Sequence, residues 1–304
     1  MLPITVRTES GPRRLRPTDD ELAAAVRAMG SDPQRHVVLA RIPDLPEEFA
    51  QSCPVEGGWT VEHRAGGPDR HYETLVTDLG RVAELLTGWA RGEAGWDAGV
   101  DWQPMDFGPA PEPAPLTLGP EDETVLLDAV RLLLAGGYAT RADAAELAEE
   151  YLVDGDRRPV SRAQAAQLAD QLWLERVAEQ RSWQGETDPE RLTRAFAALD
   201  ARGITAREDF TCCRSCGHGE IWADGEPDAR GFVYFHRQCT ESAARGEDLM
   251  LLYGGFDDSE ATTTAVGHEV AEALRDIGLT VRWDGDPGHA IRVVDLDWRR
   301  RLIG

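Results

Sequence analysis

Residues Asp209 to Gly219 read DFTCCRSCGHG, and FHRQCTE follows at Phe235 to Glu241. These two stretches hold four of the chain's five cysteines and two of its seven histidines. Cys213-Arg-Ser-Cys216-Gly217 has the spacing of a zinc knuckle. Such a tight turn brings two thiolates together with backbone N–H groups pointing at sulfur, and the glycine relieves crowding after the second cysteine. Zinc takes four ligands in a tetrahedron, and mixed sets of three cysteines and one histidine are common. His236-Arg-Gln-Cys239 offers the other two ligands. The expected metal set is therefore Cys213, Cys216, His236 and Cys239, holding a structural zinc. Cys212 is surplus to a tetrahedron: it either replaces Cys213 as a substitute ligand or points into the core.

Other chemistries compete for the same residues. Reduced cysteines also pack as small apolar side chains. A Cys-X-X-Cys pair can act as a redox dithiol, but no strand–helix–strand unit is legible around it to set it at a helix start, which favours the metal. A catalytic zinc needs an open position and a nearby acid or base. His218 and Glu220 are at hand, yet the HExxH spacing of zinc hydrolases is absent. No catalytic residue is assigned. Elsewhere, His268 and Glu272 share one helix face and read as solvated, and His289 falls in a hairpin turn. Glu62, His63, Asp69, Arg70 and His71 surround another hairpin as a candidate polar patch, where turn chemistry alone accounts for the Asp and Gly residues.

The elements that must position these residues are α+β. An N-terminal α+β domain spans 1–107. Thr18-Asp-Asp-Glu21 opens a helix as a capping box, and strands are predicted at 36–41, 59–63 and 71–76. Asp78 caps a second helix with Val82, Leu85, Leu86 and Trp89 on one face. A proline-rich linker follows at 108–120, GPAPEPAPLTLGP. Then comes a helical module, 121–203, with helices opened by Glu121, Thr140, Ser161 and the Asp188-Pro189 pair. The last part, 204–304, carries the cysteines and histidines in a small sheet with helices, and 121–304 is read as one unit. Gly231–Phe235 and Leu249–Tyr253 are continuous apolar runs typical of central strands, 260–277 is helical, and 279–283 and 291–296 close the sheet.

Composition limits the partners. The net charge is −23, from 55 acidic and 32 basic residues. Nucleic acid is an unsuitable partner for so acidic a chain, because phosphate neutralisation needs basic surface. A basic protein partner suits it. Every basic residue is arginine, so Schiff-base and P-loop lysine chemistry is excluded. No apolar run approaches a membrane span and no hydrophobic signal core is legible, so a cytoplasmic protein with reduced thiols is expected. Trp59, Trp89, Trp96 and Trp102 crowd the N-terminal part, either as core or as a binding surface.

Two resemblances attach to these residues. GITAREDFTCCRSCG at 203–217, GFVYFHRQCTE at 231–241, LLYG at 251–254 and LDWRRR at 296–301 resemble an uncharacterised bacterial domain-of-unknown-function family. That resemblance implies no activity. It does imply that an aspartate often stands where this chain has Cys239, and an aspartate can also ligate zinc. WTVEHRAGGPDRHYET at 59–74, LLTGWARGEAGW at 85–96 and DWQPMDF at 101–107 loosely resemble immunity-protein-like families of high-GC bacteria. This second likeness implies a role in binding and blocking a toxin.

The expected function is therefore a non-catalytic, protein-binding protein with a structural zinc site. The alternative is a metal-dependent hydrolase or thiol redox enzyme centred on the Cys/His cluster.

Overall fold

Thr18-Asp-Asp-Glu21 closes its reciprocal capping box. Glu21 N–H donates to Thr18 Oγ1 at 3.2 Å, and Thr18 N–H donates to Glu21 Oε2 at 2.7 Å. Helix α1 (Asp19–Ala28) starts there because two of its orphan donors are satisfied. In the computed structural model, which describes residues 1–31, 34–108 and 112–303, the chain divides into two compact units. One is Met1–Leu116 with Leu302–Gly304, the other Thr117–Arg301. Each combines helices with its own sheet, so the fold is α+β. Residues 109–111 of the expected linker lie outside the described residues, and 112–119 form no helix or strand.

The first unit is an antiparallel sheet backed by two helices. Its strands are β1 (Ile4–Thr8), β2 (Arg14–Leu15), β3 (Val37–Arg41), β4 (Glu48–Val55), β5 (Gly58–Ala65), β6 (His71–Val76) and β7 (Gln103–Pro104). They run in the order β2-β1-β3-β4-β5-β6-β7. Asp78 accepts from Arg81 N–H and opens α2 (Leu79–Arg91), which buries Val82, Leu85, Leu86 and Trp89. Ile4, Leu22, Leu39 and Val61 close the core with them. Trp59, Trp96 and Trp102 pack against this core, which favours the packing reading of the tryptophans. His63 and His71 are buried, so they do not form an exposed polar patch.

The second unit begins with four helices: α3 (Pro120–Gly136), α4 (Arg141–Glu150), α5 (Arg162–Gln180) and α6 (Asp188–Asp200). Thr140 and Ser161 cap α4 and α5 as their sequences predict. The fourth cap differs from expectation. Thr187 is the N-cap of α6 and its backbone N–H donates to Glu190 Oε2 at 2.9 Å, so Asp188 and Pro189 occupy the first turn. There follow β8 (Ile204–Arg207), α7 (Arg214–Asp224), β9 (Gly231–Tyr234), α8 (Arg237–Ala244), β10 (Leu249–Gly255), α9 (Glu260–Asp276), β11 (Thr280–Arg282) and β12 (Ile291–Val294).

These strands form a sheet of order β11-β12-β10-β9-β8. Strands β8 and β9 are parallel and every other pair is antiparallel. One face packs through Val233, Leu251, Val270 and Phe196. Phe235 sits at its centre, fully buried, with the rings of Tyr138, Phe196 and Trp298 at 6.1, 5.8 and 6.3 Å. Burying such a side chain contributes about 1.5–3 kcal/mol. The other face carries Phe232 and Tyr234 under Ile221 of α7. No helix among the described residues is long and apolar enough to cross a membrane.

Candidate cysteine metal site

The parallel pair β8–β9 is joined by α7 as its crossover, a strand–helix–strand unit. Helices α7 and α8 therefore both start at the carboxyl ends of these two strands, the edge where open α/β sheets bind ligands. Cys213 is the N-cap of α7 and Cys216 is its third residue. The Cys-X-X-Cys pair thus does stand at a helix N-terminus inside a strand–helix–strand unit, contrary to the sequence expectation. The segment RSCGHGEIWAD hides the helix because its first two turns carry two glycines and a serine. Its start is fixed by tertiary contact. Gly217 lies against Tyr234, and a Cβ there would stand 2.5 Å from the ring. Tyr234 OH also donates to Arg214 O at 3.4 Å.

The loop before α7 is strained. Asp209 and Thr211 hold φ of 50° and 61°, the left-handed region, and a β-branched residue there is costly. Two interactions hold the loop in place. Thr240 Oγ1 donates to Asp209 Oδ1 at 2.6 Å, and Thr211 Oγ1 donates to Cys213 O at 3.2 Å. The result brings Cys212, Cys213 and Cys216 together with all three sulfurs within 4.8 Å of one another. Cys212 and Cys216 Sγ are 3.5 Å apart. Such a cluster has the ligand atoms and spacing to bind a metal ion. Cys212 is a full member of it, not a surplus residue. Its position four residues before Cys216 was the available signal, legible only once a helix start is placed between them.

The thiols differ in acidity. The Cys216 amide in the first turn of α7 draws the Cys213 thiol below its ordinary value, although it does not close into a capping hydrogen bond. Cys216 is pushed up to about 11, first by its hydrogen bond with Cys212 and then by the one with Cys213. The more acidic thiol of the two is therefore the one at the helix start, where the peptide dipole favours negative charge.

His236 and Cys239 take the corresponding places on α8, N-cap and third residue. They are not members of the three-cysteine cluster. Both are buried. Cys239 Sγ lies 3.6 Å from His236 Nδ1 and 3.5 Å from Nε2. A hydrogen bond along one nitrogen's lone pair would leave the other nitrogen much farther away. The near-equal distances place the sulfur over the ring face, a packing contact. Burial lowers the His236 pKa, with the Arg214 charge adding to it, and burial raises the Cys239 thiol. Neither residue is activated by the other. His218, His268 and His289 are exposed; His268 rests edge-on against Trp283 and His289 pairs with Asp284 at 2.8 Å.

Two cavities flank the helix starts. One of about 280 Å³ is lined by Arg214, His236, Gln238, Cys239, Met250 and Leu252 among others. The other, about 390 Å³, is bounded by α3, α4 and α8 and includes Asp209, Arg237 and Glu241. Burial raises the Asp209 carboxyl pKa, and the Thr240 hydrogen bond partly offsets the rise. Behind it, Tyr138 OH donates to Glu208 at 2.5 Å, while Arg300 stacks over the Tyr138 ring and pairs with Glu208 at 3.0 Å.

Residues 120–302 match the model of a family described as a domain of unknown function, DUF6891. No curated protein matches the chain. No solved structure matches it either.

Proposed function

The chain belongs to the DUF6891 family, and from that premise we propose that its family domain holds a thiophilic divalent ion of the zinc class on Cys212, Cys213 and Cys216, as a structural centre. The convergence of three sulfurs within 4.8 Å at the start of α7 carries this reading. Three thiolates compensate a dication and suit zinc better than hard cations such as calcium or magnesium. A metal there would also relieve the mutual crowding of three exchangeable protons by displacing them. Elemental analysis of protein purified without chelator tests the reading. About one zinc per chain is expected, lost in Cys213→Ser and Cys216→Ser. Stripping it should lower the melting temperature of the domain by at least about 10 °C. Protein that stays metal-free after zinc is supplied under reducing conditions would sink the idea.

One observation favours a second reading. Cys213 and Cys216 straddle the start of a crossover helix, the placement of redox dithiols. In that role the two thiols join as a disulfide while the S–S bond of a disulfide substrate breaks, two electrons and two protons passing to it to give two thiols. Equilibration in glutathione buffers tests it. If both thiols stay reduced across the glutathione range, the reading fails.

A basic protein partner is proposed alongside the metal. Its support is the net charge of −23 and the immunity-like resemblance of the N-terminal unit. Capture from host extract at low and high salt checks it; retention of no basic protein at low salt removes it.

A further inference from the structure

Residues Phe210 to Arg237 contain a second feature that bears on the cysteine cluster. The pairing of β8 with β9 does not stop at their ends. Phe210 N–H donates to Phe235 O at 2.8 Å, and Arg237 N–H donates to Thr211 O at 3.2 Å. These two bonds flank His236 on one side and lead into Cys212 on the other. The backbone at 210–211 therefore runs about one strand spacing, ~4.8 Å, from the backbone at 236. The two helix starts are locked side by side before any metal is considered.

His236 is 8% exposed, and among the described residues its ring nitrogens have no nitrogen or oxygen partner. Its one polar contact, Cys239 Sγ, lies over the ring face and leaves the in-plane lone pair unused. The ring borders the 280 Å³ cavity, which gives it room to turn. A buried imidazole with a free lone pair, on a backbone paired with the one that leads into Cys212, has the type of a missing ligand; its ring lies outside the three-sulfur cluster and has to turn to join it.

We propose that His236 is the fourth ligand of the cysteine metal site, so that the set is Cys212, Cys213, Cys216 and His236, with Cys239 as a positioning residue against the imidazole face. This rests on the metal reading above and departs from the sequence expectation at one ligand: Cys212 takes the place expected for Cys239. Charge is consistent with it. Three thiolates and a dication leave one net negative charge, and Arg214, which lines the same cavity as His236, supplies a balancing positive one. The site is then closed, as structural zinc sites are, and it ties the start of α7 to the start of α8.

Cobalt(II) is the probe, added to the full reduced chain after removal of bound metal. The wild-type spectrum should show thiolate-to-cobalt charge transfer and the intense ligand-field bands of a tetrahedral site with three sulfur ligands and one nitrogen. His236→Ala should keep the charge transfer, lose the tetrahedral ligand-field intensity and bind at least about 10-fold more weakly. His236→Cys should restore a tetrahedral spectrum, red-shifted toward that of a four-sulfur site, which rules out a folding defect as the cause. Cys212→Ser should remove one thiolate's share of the charge transfer, whereas Cys239→Ser should leave it intact. If cobalt binds through thiolates but both His236 variants give the wild-type spectrum, His236 is not a ligand and the inference falls while the metal reading stands. If Cys239→Ser strips a thiolate and Cys212→Ser does not, the inference also falls. If no variant or wild type binds cobalt or zinc, the metal reading itself has failed.

Discussion

Two buried histidines, His71 in the first unit and His236 in the second, are built in opposite ways. His71 on β6 has both ring nitrogens engaged. Arg64 Nε–H donates to its Nδ1 at 3.0 Å, so its proton sits on Nε2 and faces Glu62 Oε2 at 3.1 Å. Glu62 in turn accepts from Gln51 at 2.8 Å, and Arg64 also reaches Glu47. The rings of Phe49 and Phe107 pack around the same imidazole at 5.7 and 4.8 Å. His236 has only a sulfur over its face. An unpartnered buried polar group costs about 1–3 kcal/mol, so a fold either pairs it or reserves it for something. The first unit satisfies both nitrogens of His71 with its own side chains. The second leaves the ring nitrogens of His236 without such partners among the described residues.

Replacing each histidine with phenylalanine in metal-free protein would break this comparison if it is wrong. His71→Phe removes partners from both Glu62 and Arg64 and should destabilise the first unit by about 2–3 kcal/mol. His236→Phe removes no hydrogen bond and should cost the second unit less than about 1 kcal/mol. Urea unfolding followed by hydrogen exchange, which reports on each unit separately, measures both. Equal losses would show that His236 is as fully committed as His71.

Next in size is Gly217→Ala. The added methyl meets the Tyr234 ring at 2.5 Å, and Tyr234 is 1% exposed, so either α7 shifts or the ring does. A loss of about 1–3 kcal/mol in the second unit is expected, with weaker metal binding because Cys216 moves with the turn. Adding Tyr234→Leu should recover part of both losses, since the clash is shared by that pair. A single Gly217→Ala variant with wild-type stability and metal content would show that the start of α7 is not held by this contact.

What the sequence disclosed follows from which forces are local. The caps at Thr18, Thr140 and Ser161 need only four consecutive residues and appear as expected. The apolar stripe of α2 and the runs that become β9 and β10 were equally legible, because burial imposes their period. Strand β4 was missed: EFAQSCPV alternates weakly and carries Pro54, and its neighbours β3 and β5 decide its state. Helix α7 was hidden for the same reason, since Gly217, Gly219 and Ser215 argue against a helix that Tyr234 and the β8–β9 crossover impose. At the site, Cys213 and Cys216 were legible from spacing alone. The membership of Cys212 was not, because it depends on the left-handed turn at Asp209 and Thr211.

The smallest effect concerns pH and should have opposite signs in the two units. His63 is buried among Tyr72, Trp96 and Trp102, and that burial lowers its pKa, with His71 lowering it further and Asp97 opposing. As pH falls through the ordinary histidine value of about 6.5, the unfolded chain takes up the proton first. The unfolded state then binds more protons than the folded one, so the first unit loses stability as pH falls through that window. Asp209 behaves in reverse. Burial raises its carboxyl above the ordinary 3.8, so the folded state keeps its proton to higher pH. Its contribution is complete at low pH and is lost as pH rises through the window above 3.8. Each slope is bounded by one proton, about 1.4 kcal/mol per pH unit. Unfolding free energies measured from about pH 4 to 7 should show His63→Gln flattening the rise in the first unit and Asp209→Asn flattening the decline in the second. A slope near pH 6 that survives His63→Gln would assign it to another group. A second unit whose stability rises with pH just above 4 would mean that Asp209 is held as a carboxylate by Thr240 and Arg237 more strongly than burial opposes it.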